Sequence, residues 1–319
     1  FNDDSATFVE AGGGVASATD TDYGGLGGFS VSAVGPGATF VGAGGVGTGK
    51  GTGTKAGSGG AGEGFGGRGS GSREAMVGSS GGTKATERSV AGGLNWIARH
   101  QNSDGSWSFD GYQRHCKDAS CSCQGMAKSD PGATAFALLP FLAAGQTHRS
   151  KGPYQKVIND GVEYMGRTAK PDGALHGNKE GPMYAHGVAT IVLCEAYGMS
   201  RDQRLRPIAQ KAVEYICRAQ HPELGGWHYY TPGGALTAGD LSVVGWQLMA
   251  LKSAKMAGLD VPPVVLEKAS RFLKSVSAGE HGGLGCYMVG EGPKPSMTAV
   301  LLLSKQFLGA KRSDADQAE

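Results

Sequence analysis

The chain has 319 residues, 57 of them Gly, and a formal net charge of +2. Residues 1–82 hold 28 of the glycines, without the three-residue period of collagen and with too few large apolar side chains to offset the entropy of ordering. We therefore expect a disordered Gly-rich tether over 1–82 and a polar tail over 311–319. The charge balance argues against a nucleic-acid-binding protein, and no apolar run reaches the roughly 18 residues of a membrane span.

Helical periodicity extends from residue 83 to about residue 310 and predicts an all-α domain. The predicted helices cover 84–100, 132–144, a stretch from 153, 184–197, 205–219, 240–257, a stretch from 263, and 296–308. Odd-numbered helices are amphipathic, whereas even-numbered helices are apolar nearly all round, which is typical of buried helices. We expect four hairpins, each with an outer and an inner helix. A glycine expected as a left-handed C-cap follows each inner helix: Gly145, Gly198, Gly258 and Gly309.

The loops between the helices of a hairpin carry a repeated pattern. The first helix contains Trp96 and is followed by Gln101, and Trp107 comes after a Gly-containing loop. The fifth helix is similarly followed by Gln220 and Trp227, and weaker versions follow the third and seventh helices. Gln can bond free backbone groups at a helix end, Gly permits a sharp reversal, and Trp offers a broad surface for packing. The pattern predicts that these five Gln and Trp residues are structural.

The stretches GLNWIARHQ…GSW at 93–107 and AVEYI…Q…GW at 212–227 resemble the QW repeats of squalene and oxidosqualene cyclases, which recur more loosely in protein prenyltransferase β subunits. Residues 84–309 as a whole are similar to bacterial prenyltransferase/squalene-oxidase-repeat proteins. This resemblance implies an α/α toroid, with inner helices around an apolar cavity. Four hairpins are fewer than a closed ring of that kind uses, so an open arc, a fragment and half of an assembled ring are all open interpretations.

The resemblance also points to Asp130. Residues 130–135 read DPGATA, similar to the DxDDTA segment with which squalene–hopene cyclases protonate their substrate, but Gly132 stands where that family has its proton donor. Protonation of an alkene needs a strongly acidic carboxyl group, so the motif is incomplete. Asp240 and His186 also lie at the starts of inner helices and complete the candidate catalytic set. The alternatives are helix caps for the two acids and a hydrogen-bonded structural role for the histidine.

Two further groups of residues are candidates for chemistry. Cys116, Cys121 and Cys123 lie close together and could form a disulfide in an oxidising compartment, remain thiols, or weakly bind a soft metal. The Asp-x-Cys zinc pattern of prenyltransferases does not occur in the sequence, and we expect no cofactor. Candidates for an isoprenoid pocket, on inner helices or in their loops, are Tyr184, Tyr229 and Trp246, because aromatic faces attract carbocations. Packing between hairpins is their alternative role.

The leading functional interpretation is a repeat protein over residues 83–310 whose apolar concave surface binds an isoprenoid lipid or a protein partner, including a second copy that completes the ring. One alternative is a terpenoid cyclase or prenyl-transfer enzyme. Another is an α/α-toroid carbohydrate-active enzyme that uses Asp130 and Asp240 as facing carboxylates. Whether the chain is an enzyme is left open. The sequence starts at Phe1 and not at Met, so a preceding anchor to the cell envelope is one interpretation of its location.

Overall fold

The computed structural model describes Phe65, Arg68 and residues 82–116, 125–177, 182–230 and 238–310. The rest of the predicted tether, the predicted tail, Cys121 and Cys123 lie outside these residues. The described part contains eight α-helices, as the periodicity predicted: α1 Lys84–Arg99, α2 Asp130–Ala143, α3 Gln155–Thr168, α4 Pro182–Ser200, α5 Arg206–Ala219, α6 Leu241–Ala257, α7 Pro263–Ser275 and α8 Pro295–Phe307. A 3₁₀ turn, Tyr112–His115, and two short antiparallel strands, β1 Ser277–Ala278 and β2 Leu284–Gly285, complete the secondary structure of that part.

The helices alternate between two layers. The even-numbered helices pack side by side in chain order, with α4 between α2 and α6, and α8 against α6. Almost every residue of α4 is buried, in keeping with its largely apolar sequence. The odd-numbered helices pack on the outside of this row through one apolar face, which in α3 consists of Ile158, Gly161, Val162 and Met165. The predicted contrast between buried and amphipathic helices is clear in α2 to α6, whereas α8 buries only Met297, Leu301 and Ser304.

One of the four predicted C-cap glycines has a different position. Gly198 lies inside α4, which continues to Ser200 and is followed by Arg201 at φ 54°. The reason for glycine here is packing, because a Cβ at this position would come within 2.4 Å of the Phe65 ring. The glycines after the other three inner helices do have positive φ, as expected for helix ends: Gly145, Gly258 and Gly309.

None of the described helices is both long enough and apolar enough to cross a membrane.

Candidate functional site

Three of the loops between outer and inner helices have the same geometry. Each contains a glycine at positive φ whose α-carbon lies against a carbonyl of the next outer helix, six residues into that helix. A Cβ added to these glycines would lie 2.1–2.4 Å from the carbonyl oxygen, so a larger residue cannot be accommodated without moving backbone. The pairs are Gly105 with Asp160, Gly173 with Lys211, and Gly225 with Lys268.

The two predicted glutamines bridge neighbouring outer helices. Nε2 of Gln101 donates to the carbonyls of Gly105 (3.0 Å) and Val157 (2.9 Å). Nε2 of Gln220 donates to Gly225 (2.9 Å) and Val265 (2.8 Å) in the same way. Since both valines are the third residue of the following outer helix, one glutamine joins its own loop to the next hairpin.

The two predicted loop tryptophans also make matching contacts. The Trp107 indole donates to the carbonyl of Ile97 at 2.7 Å, and the Trp227 indole donates to that of Ile216 at 2.8 Å. Both side chains are buried, 5% and 1% exposed respectively, against the helix that precedes them. Trp96 differs, since it is only partly buried and stacks on the His100 ring with 3.7 Å between centroids.

Asp130 is the first residue of α2, and its side chain is exposed. Its Oδ1 accepts a hydrogen bond from Ser108 Oγ at 2.8 Å. The helix is capped by Ser129, whose Oγ accepts from the amide of Gly132 at 3.2 Å. Ser129 therefore takes the capping role that the sequence suggested for Asp130.

The position of the missing proton donor is closely packed. Gly132 is buried in the first turn of α2, and a Cβ there would lie 3.0 Å from Ser129 Oγ and 3.3 Å from the Ala185 methyl of α4. A carboxylate side chain at this position would need both neighbours to move. The start of α2 is thus built around a glycine, and not around an acid.

Asp240 lies in a buried hydrogen-bond network. It caps α6, and its Oδ1 accepts from the amide of Ser242 at 2.8 Å and from the Ser242 hydroxyl. Its Oδ2 accepts from the Tyr229 hydroxyl at 2.6 Å. Because Ser242 donates its proton to Asp240, the Tyr184 hydroxyl, 2.6 Å away, must donate to Ser242. Three predicted site residues, Tyr184, Tyr229 and Asp240, are thereby brought together.

The two phenols of this network stay protonated at neutral pH. The hydrogen bond to the Asp240 carboxylate, together with burial, raises the pKa of Tyr229 far above its usual value. Burial is the main cause that raises the pKa of Tyr184. The rings of the two tyrosines lie 5.6 Å apart between centroids, so the network presents hydrocarbon as well as hydroxyl groups.

His186 lies between α4 and α5, where its bonds go to the backbone. Its Nδ1 accepts from the amide of Leu175 at 3.1 Å, and its Nε2 donates to the carbonyl of Ala212, also at 3.1 Å. The side chain is completely buried, and this burial lowers its pKa to about 3. Thr134 Oγ1, at the equivalent fifth position of α2, accepts from the amide of Trp107 in the same manner. The hydrogen bonds of His186 do not connect it to Asp130 or Asp240.

The third predicted pocket residue, Trp246, belongs to an aromatic cluster on the inner helices. Its ring meets that of Phe136 from α2 edge-on at 5.6 Å, and Phe136 in turn packs against Phe109 at 6.0 Å. Phe136 is 43% exposed in spite of its size. Trp246 lies one turn after Ser242 on α6, so the cluster is continuous with the tyrosine network. We call this surface the aromatic face; its members are Phe109, Phe136, Tyr184, Tyr229 and Trp246.

The cysteine cluster is described only at Cys116, whose sulfur lies 3.5 Å from Nε2 of His100. Within the described ranges, no three His, Cys, Asp or Glu side chains are grouped as metal ligands. The disulfide, thiol and metal interpretations of Cys116, Cys121 and Cys123 stay predictions. A separate cleft of about 310 Å³ lies between α3 and α5 and is lined by residues that include Val162, Arg167 and Ile208; it contains none of the predicted site residues.

Comparison with known proteins agrees with this helical architecture. The chain is distantly similar to a squalene–hopene cyclase. The relative, from Bradyrhizobium diazoefficiens (strain USDA 110), is 25% identical over 185 residues, which are 54% of this chain and 27% of the cyclase. The chain thus matches about a quarter of that curated relative's length. No family model matches the chain.

Proposed function

We propose that the chain is a squalene-cyclase-like repeat protein whose four hairpins form an open arc, and that the aromatic face binds an isoprenoid or a similar apolar lipid on its concave side. The alternation of inner and outer helices supports the arc. The repeated Gln, Gly and Trp contacts support the assignment of QW-type repeats, and the distant similarity to squalene–hopene cyclase agrees with both. In this proposal residues 83–310 are the repeat domain and residues 1–82 its tether.

The observation that carries the lipid proposal is the aromatic face itself. Phe136 is large and 43% exposed, although it lies in an apolar helix that could have buried it. Exposed contiguous apolar surface is a feature of binding sites. The hydroxyls of Tyr184 and Tyr229 are occupied by Ser242 and Asp240, so their rings remain as the surface that a ligand meets. A hydrocarbon chain fits this chemistry better than a sugar or a charged group.

The same geometry argues for binding and against cyclisation. Gly132 stands in place of the proton-donating acid of the cyclases, and an acidic side chain there would displace Ser129 and Ala185. Asp240 is engaged through both oxygens, and Asp130 is exposed and hydrogen-bonded to Ser108. Neither acid is therefore a free carboxyl group, as protonation of an alkene requires.

Calorimetric titration with farnesol, a short isoprenoid alcohol, tests the proposal. Phe136→Ala and Trp246→Ala are each expected to weaken binding by about tenfold, because each removes a ring from the aromatic face. Leu224→Ala is the matched control, since Leu224 is 48% exposed but lies in the loop after α5. Equal affinity in all four proteins, or no binding to the wild type, would contradict the proposal.

A further inference from the structure

A short piece of the Gly-rich segment packs against the carboxyl ends of the inner helices. Phe65 is 2% exposed, and its ring lies on Gly198 of α4. The carbonyl group of Arg68 lies over Gly145, which follows α2. A Cβ added to Gly145 would lie 2.1 Å from the Arg68 carbonyl oxygen. Both glycines thus leave space that the segment fills. Neither contact was expected for a disordered tether.

Arg68 also makes a nearly buried ion pair. Its Nη1 lies 2.8 Å from Oε2 of Glu195, and its Nη2 lies 3.3 Å from Oε1, which is a bidentate arrangement. Ser253 of α6 donates a further hydrogen bond to Oε1 at 3.2 Å. Both charged side chains are largely shielded, with exposed fractions of 11% for Arg68 and 9% for Glu195.

Glu195 is difficult to explain without this partner. The sequence of α4, PMYAHGVATIVLCEAYGMS, contains no other acidic residue and no Lys or Arg. A buried carboxylate is costly unless a cation and hydrogen bonds compensate it. The carboxyl end of a helix favours a cation in addition, because the helix dipole is negative there. Glu195, near the carboxyl end of α4, is therefore well placed to bind an arginine side chain.

We propose that the carboxyl ends of α2, α4 and α6 form a binding pocket for a segment of the form aromatic-x-x-Arg, and that Phe65 and Arg68 of this chain are its occupant. We call it the clasp pocket; its residues are Gly145, Glu195, Gly198 and Ser253. The slot over Gly198 selects the aromatic ring, and the bidentate carboxylate selects Arg over Lys. The aromatic face involves the opposite, amino-terminal halves of the inner helices, so this pocket is independent of lipid binding. It fixes the point at which the Gly-rich segment meets the helical domain.

Limited proteolysis of the intact chain by trypsin tests the contact in cis. The bond after Arg68 is expected to be cut at least about tenfold more slowly in the wild type than in Phe65→Ala or Glu195→Gln, because cleavage requires the clasp to open. Cleavage after Lys50, which like Arg68 precedes a glycine, normalises the rates. Phe40→Ala, a change of another phenylalanine in the Gly-rich segment, is expected to leave the ratio unchanged. Equal normalised rates in the wild type and Phe65→Ala would overturn the proposal, even if Glu195→Gln does not fold.

A peptide with the sequence of residues 60–72 tests recognition in trans. It is expected to bind the full-length Phe65→Ala/Arg68→Ala variant, whose pocket is vacant, and to bind the wild type at least about tenfold more weakly. A peptide with Lys in place of Arg68 is expected to lose about tenfold in affinity, because one bidentate contact is lost. Fluorescence anisotropy of the labelled peptide measures both effects. Failure to bind the double variant, or equal affinity for the Arg and Lys peptides, would show that the pocket does not recognise this motif.

Discussion

Trp227→Ala should strongly destabilise the helical domain. The indole is 1% exposed, and its N–H is donated to a carbonyl in the last turn of α5, where the helix itself leaves acceptors unused. Loss of a fully buried Trp side chain costs about 3–5 kcal/mol, including the cavity that remains. The total free energy of unfolding of a domain is only about 5–15 kcal/mol, so this single change removes a large part of it.

Thermal unfolding followed by far-UV circular dichroism measures this effect. For a domain of this size each kcal/mol shifts Tm by about 2–4 °C, so the expected decrease is roughly 6–20 °C. Trp107→Ala should behave similarly, because Trp107 makes the same bond to Ile97. Trp246→Ala is the control, because Trp246 is only partly buried. This variant should weaken farnesol binding but lower Tm less than Trp227→Ala does. A Tm for Trp227→Ala close to that of the wild type would refute the assignment of Trp227 as a packing residue.

Three further predictions concern glycines and a histidine. Gly225→Ala should lower Tm, because the φ of Gly225 is +80° and the new methyl group would collide with the Lys268 carbonyl. Gly92 lies in open space on α1, so Gly92→Ala should instead raise the free energy of unfolding by up to about 1 kcal/mol through helix propensity. Gly132→Asp should destabilise α2, and neither it nor the wild type should give a polycyclic product from squalene in a detergent assay analysed by gas chromatography. Burial lowers the pKa of His186 to about 3 in the folded state, against about 6.5 in the unfolded state. Between these two pH values the histidine is protonated in the unfolded state but neutral in the folded state. Stability should therefore fall as pH decreases through this window, by up to about 1.4 kcal/mol per unit, and His186→Gln should reduce that dependence in urea titrations.

Each of these outcomes has a clear contrary result. Equal Tm values for the two glycine variants would mean that the close loop contact is unimportant. A hopene-like product would overturn the argument from the absent acid. A pH dependence that is the same in wild type and His186→Gln would show that burial does not hold the imidazole neutral in the folded state.

The eight helices could be predicted because each has an apolar pattern with a helical period. The end of α4 could not, because Gly198 resembles a C-cap in sequence but contacts Phe65, more than a hundred residues earlier. A glycine needed for a distant contact cannot be distinguished from a capping glycine by local sequence. The ion pair of Glu195 could not be predicted for the same reason, because its partner Arg68 lies in a segment with no helical pattern.

Most residues of the candidate site could be predicted from the sequence, but the hydrogen bonds between them could not. Tyr184, Tyr229 and Asp240 were all selected from sequence, yet the Ser242 hydroxyl that connects Tyr184 to Asp240 has no periodic signal. Phe136 was missed because its run of apolar neighbours suggested burial on every side. The loop contacts of Arg167 and Arg218, two residues on the charged faces of outer helices, were not predicted either. The two arginines occupy the same position in α3 and α5, and each donates to the carbonyl just before a loop glycine.

The bridging glutamines, Gln101 and Gln220, have a consequence for how the domain unfolds. Each joins one hairpin to the next along the chain, so folding energy divides into a contribution from every hairpin and a coupling between adjacent ones. Such a system behaves as a short one-dimensional Ising chain. Hairpins at its two ends have one coupling within this chain, and α4 has neighbours on both sides. Amide exchange should consequently be fastest in α1 and α8 and slowest in α4, as a gradient along the array and not as a single protected core.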